Sequence, residues 1–113
     1  MTGIAERAAA RESFTLVIQV TGDDIGHGKR RDCGDCPVAR ALARAWGTVP
    51  GFGWAQAEMD CLGVWIDKGD WGYETATPEA VAEFMRRFDE MEAVFPFSFT
   101  ATWAPWSGSE AAS

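Results

Sequence analysis

Apolar side chains alternate along some stretches of this chain and recur at helical spacing along others. In "SFTLVIQVT", Phe14, Leu16, Ile18 and Val20 fall on one face of an extended chain. Val17 is apolar on the other face, which predicts a central strand covered on both sides. "FPFSFTATW" alternates too, with Phe95, Phe97, Phe99, Ala101 and Trp103 opposite Ser98, Thr100 and Thr102, and Pro96 suits the start of that strand. Helical spacing takes over at Val38, Leu42 and Ala45, and again at Val81, Phe84, Met85 and Phe88. Between these helices "GFGWAQAEMD" alternates, "CLGVWID" is an apolar strand with a bulge or bend expected at Gly63, and "WGYE" is a short returning strand.

Punctuation residues mark the ends of these elements. Thr21 followed by Asp24 is a capping pattern, since a threonine oxygen takes an orphan amide and the acid reaches back. It predicts one helical turn around Asp23–Gly26. Cys36-Pro37 opens the first long helix, because proline at the first helical position lacks an N–H that would have no partner there. Gly47 closes it. Asp67-Lys68-Gly69-Asp70 is hairpin-turn chemistry. Thr77-Pro78-Glu79 starts a helix running to Met91, with Thr77 as cap.

The resulting order predicts an α+β fold: one four- to five-stranded mixed sheet with two main helices packed on it. Residues 1–12 read as a flexible leader, 13–104 as a single domain and 105–113 as a disordered tail. A chain of 113 residues closes one core of this kind without staples.

Charge is uneven along the chain. Residues 1–51 carry seven Lys/Arg against six Asp/Glu, whereas residues 52–113 carry three against eleven. The net charge of -7 argues against nonspecific duplex DNA binding, which depends on neutralising phosphates. Six Trp and seven Phe predict an aromatic core, with some rings left over for a surface contact. "FTLVIQV" is too short for a membrane span and lacks the flanks of a signal peptide, and three cysteines cannot all pair. A cytoplasmic protein with reduced thiols and no membrane association is expected.

Several short motifs together resemble a group of small uncharacterised phage and actinobacterial proteins. They are Asp24-Ile25, Cys36-Pro37, Val38-Ala39, Ala41-Leu42, Arg87-Phe88-Asp89 and Pro96-Phe97-Ser98-Phe99. The resemblance spans roughly residues 14–99. It implies a phage-type accessory protein acting on a host or defence component, and it brings no activity with it.

The densest chemistry lies in "GHGKRRDCGDCP". Cys33-x-x-Cys36 is half of a zinc site, which His27 and Cys61 would have to complete, and no second C-x-x-C exists. The same cysteines before a helix suggest redox chemistry, but the chain lacks the thioredoxin pattern. Lys29, Arg30 and Arg31 precede a helix N-terminus, where free amides favour anions, so a nucleotide or nucleic acid is an alternative ligand of the loop 26–36. The second helix carries Glu79, Glu83 and Glu90, a surface for a basic partner. Glu58/Asp60 and Asp67/Asp70 read as solvated strand and turn acids. The expectation is a non-enzymatic protein binder with no resident cofactor. Lys29, Arg30 and Arg31 are its leading contacts, and a zinc- or thiol-dependent protein is the alternative.

Overall fold

A computed structural model of the chain describes residues 3–107. The elements in chain order are α1 (Ile4–Ala9), β1 (Phe14–Val20), α2 (Gly22–His27), α3 (Pro37–Trp46), β2 (Phe52–Ala57), β3 (Cys61–Ile66), β4 (Trp71–Ala76), α4 (Glu79–Asp89) and β5 (Phe97–Ser107). The strands form one sheet in the order β1-β5-β4-β3-β2, and every neighbouring pair is antiparallel.

This corrects the expected mixed sheet with two main helices. The sheet is an open, curled half-barrel, and four short helices accompany it. Two tight turns, at residues 58–60 and 67–70, make β2, β3 and β4 successive hairpins, which can only be antiparallel. A mixed sheet would need a helical crossover to return a strand parallel to its neighbour. The α3 connection instead carries the chain from one edge of the sheet to the other, and α4 returns β5 antiparallel between β4 and β1.

Strand parity decides what is buried. Ile18 and Val20 of β1 and Phe99, Ala101 and Trp103 of β5 face inward. So do Ala55 and Ala57 of β2, Leu62, Val64 and Ile66 of β3, and Trp71 and Tyr73 of β4. Val38, Ala41, Leu42 and Trp46 of α3 fill the concave side, and Trp46 lies 5.1 Å from Tyr73 and 5.4 Å from Trp103, ring centre to ring centre. A second cluster joins α4 to β5, where Phe84 lies 4.7 Å from Phe97. Val81, Phe84 and Phe88 are buried, as their spacing predicts.

Other expectations shift. β1 is an edge strand rather than a central one, and Val17 is 55% exposed, because a single apolar residue on the outer face gives nothing to cover. The carbonyls of Gln19 and Thr15 on that edge accept from Arg44 Nη2 at 2.7 Å and Arg7 Nη1 at 3.5 Å, which blunts it against further strand pairing. The register shift lies between Phe52 and Trp54, not at Gly63. Met59 leaves the strand for the turn and is exposed, and Phe95 is 73% exposed outside β5. Thr77 does not cap α4. Pro78 holds the cap position, and the Thr77 hydroxyl donates to the Glu58 carbonyl at 2.6 Å. Within the stretch read as a leader, α1 buries Ala8 against the core, and Tyr73 OH donates to the Glu12 carbonyl at 3.0 Å. β5 reaches Ser107 and pairs with β4 there, and the rest of the expected tail lies outside the described residues.

The capping box of α2 is present: Asp24 N–H donates to Thr21 Oγ1 at 3.2 Å, and Thr21 N–H to Asp24 Oδ2 at 2.9 Å. Asp24 is also the one buried charged residue among those described, and Arg44 from α3 grips both its oxygens at 2.7 and 2.8 Å. Burial alone would raise the Asp24 pKa. The Arg44 hydrogen bond, with the Thr21 amide, outweighs it and holds the carboxyl below its ordinary value.

Candidate functional site

The loop between α2 and α3 is tied down along its length. Lys29 N–H donates to the Asp35 carbonyl at 2.8 Å, Gly34 N–H to Asp32 Oδ1 at 3.0 Å, and Arg31 N–H to Asp89 Oδ1 of α4 at 2.9 Å. Ala57 N–H of β2 donates to the Cys33 carbonyl at 2.8 Å. Gly28 is needed for its lack of a side chain, since a Cβ there would lie 2.6 Å from the Pro37 ring. Two of the three loop cations contact the fold through their side chains. Lys29 lies 3.7 Å from Asp35, and the Arg30 guanidinium sits 5.6 Å from the Phe88 ring centre. Arg31 adopts a left-handed φ of 56°.

A cavity of about 350 Å³ opens beside this loop. Cys33, Cys36, Met59 and Met85 supply sulfur to its wall, and Arg31, Asp32, Glu58, Asp60 and Asp89 supply charge. Cys36 Sγ caps α3, accepting from Ala39 N–H at 3.5 Å, and burial pushes its thiol pKa up. This is the reverse of the lowered pKa of a poised nucleophile. Cys61 sits on the opposite, outer face. Its thiol is pushed up by burial and then by Glu74, Asp60 and Glu58. His27 ends α2 and donates through Nδ1 to the Asp23 carbonyl at 3.0 Å. His27, Cys33, Cys36 and Cys61 are therefore not gathered into one tetrahedral set, and among the described residues no three His, Cys, Asp or Glu are placed to share an ion.

The acids of α4 are largely neutralised within the helix. Glu83 pairs with Arg86 at 2.7 Å and Arg87 at 3.0 Å, and those hydrogen bonds, Arg86 first, lower its pKa to about 2. Glu90 also pairs with Arg86, at 2.5 Å, while Glu79 stands exposed in the first turn.

Among the described residues, no helix lies against the outer face of the sheet. Across it, Trp54 of β2, Trp65 of β3, Gly72 of β4 and Trp106 of β5 stand in register. Trp54 and Trp65 stack at 5.4 Å with planes 7° apart, and Trp106 meets Trp65 edge-on at 5.9 Å. Gly72 makes the row possible, because a Cβ there would overlap the Val64 carbonyl oxygen and lie 2.7 Å from the Trp106 ring. Trp54 is 41% exposed, and Trp65 and Trp106 are half-buried. The next row along the strands is Gln56, Gly63, Glu74 and Ala104. Beyond it lie Cys61 and the exposed Glu58 and Asp60 of the turn. No single strand's pattern announces this surface in the sequence. Its signal was parity, since Trp54 shares a face with Gln56 and Trp65 shares one with Cys61 and Gly63.

Comparison of the chain with protein-family models, curated proteins and solved structures finds no match. No described helix is long and apolar enough to cross a membrane.

Proposed function

We propose that this chain is a non-enzymatic binding protein whose recognition face is the outer surface of β2, β3, β4 and the end of β5. One observation carries the reading: three tryptophans stand in register on a sheet face that no other described element covers, with a glycine between them making room. Large rings left partly in water forgo part of the stabilisation that burial would give them. Rows of exposed aromatics are the usual anchors of interfaces. The loop 26–36 becomes a secondary surface, because Lys29 and Arg30 are already turned on Asp35 and Phe88. The resemblance to phage and actinobacterial proteins supports a partner drawn from a bacterial host or its defences.

A photo-crosslinking side chain placed at Gln56, beside the row, tests the reading against one placed at Glu79 on α4. A discrete adduct from Gln56 alone, lost in Trp54→Ala, is the expected result. Equal labelling from both positions overturns it.

A further inference from the structure

Resting on that reading, we infer that the outer face takes an arginine-bearing, extended segment of a basic protein partner, cations toward the carboxylates and planar groups on the tryptophans. The aromatic row is one end of a longer surface. Along β3, Trp65, Gly63 and Cys61 succeed one another on the outer side, so row and turn lie about 13 Å apart at ~3.3 Å per residue. Gly63 lies between the two ends, and the Trp65 ring folds over it toward the acidic end, since a Cβ there would lie 3.1 Å from the ring.

The far end is acidic. Cys61 Sγ lies 3.9 Å from Glu74 Oε2 at this end, next to the turn that carries Glu58 and Asp60, and burial first, then these carboxylates, raise its thiol pKa. All three carboxylates are exposed, and among the described residues none has a cationic partner, in contrast to the neutralised acids of α4. This local charge selects against phosphate-bearing ligands and for cations. Arginine fits both ends. Its guanidinium stacks on an indole face and pairs with a carboxylate in a fork, whereas the lysine ammonium is a more strongly hydrated point charge. The indole N–H groups of Trp54, Trp65 and Trp106 suit the backbone carbonyls of an extended segment.

The test uses the whole chain and a nine-residue peptide alternating arginine and glycine, followed by calorimetry and by the indole N–H resonances. Binding should shift the resonances of Trp54, Trp65 and Trp106 and leave those of Trp46 and Trp103 in place. The lysine-glycine counterpart should bind several-fold more weakly, and Glu58→Gln with Glu74→Gln should weaken the arginine peptide by about tenfold. Neither exchange touches the core, so the variants stay folded and comparable. Arginine-peptide binding that survives both Trp54→Ala and the Gln exchanges is diffuse attraction to net charge and overturns the inference. If cellohexaose shifts the three indoles and the peptide does not, the partner class is wrong while the recognition face stands. If neither ligand shifts them, the inference falls, and the crosslinking comparison separately decides the face.

Discussion

Two groups of tryptophan in this protein have the same chemistry and opposite fates. Trp46 and Trp103 are wholly buried on the concave side, packed among Phe14 and Tyr73. Trp54, Trp65 and Trp106 lie in a row on the convex side. Neither buried indole N–H finds an acceptor among the described residues, so the inner rings are kept by area and ring contact in spite of a polar cost. The outer rings bear no such cost, but no described element covers them. One step along a strand reverses a side chain's face, so Trp103 and Trp106 of a single strand end on opposite sides. A tryptophan count therefore says nothing about core size until parity is assigned.

The widest separation between the groups should appear on truncating one ring from each. Trp46→Ala removes the centre of the inner cluster and should cost about 3–5 kcal/mol in urea denaturation. That is a large share of the stability of an ordinary domain. A cost near 1 kcal/mol would mean that α3 does not seal the concave face.

The tether of α3 comes next. Arg44 holds it to Asp24, and Arg44→Ala leaves a buried carboxylate without its cation, at a cost of about 3 kcal/mol. The folded pKa of Asp24 is depressed, so the pair's contribution is present above the unfolded value and is lost as pH falls through the folded one. Stability of the wild type should therefore decline with acid below about pH 4, and Arg44→Ala should flatten that decline. An unchanged acid limb would show that Asp24 does not set it and would point to Glu83 of α4, the other carboxyl held low.

Local elements were legible in the sequence because their causes are local. The Thr21–Asp24 box, the Cys36-Pro37 helix start and the Asp67–Asp70 turn each depend on residues a few positions apart. Strand order was not, because it depends on where α3 and α4 carry the chain. The grip of Arg44 on Asp24 spans 20 residues, and nothing in the helical spacing of α3 announces it. The convex row required the register of four strands at once, and Gly72 gave it no side chain to read.

Gly72 itself separates the two faces. Gly72→Val adds bulk against the Val64 carbonyl and the Trp106 ring on the convex side. It should cost about 2 kcal/mol by overpacking and move the Trp65 and Trp106 indole resonances, while those of Trp46 stay in place. Equal shifts on both sides would show that the rows are coupled through the sheet.

Trp54→Ala should have the smallest effect on stability. The ring lies on edge strand β2, is 41% exposed and loses mainly its stack on Trp65, worth about 1 kcal/mol. The melting temperature should drop by a few degrees, near 4–8 °C per kcal/mol for a domain of this size. Partner binding should fall far more steeply, because a ring at the end of an exposed row does its work in the complex. The ratio of the two losses is the quantity to measure. If stability falls as far as in Trp46→Ala, the convex row is a second core and the distinction between the faces collapses. If stability barely moves and binding is lost, the outer tryptophans are kept for a partner, and the comparison holds at its most sensitive point.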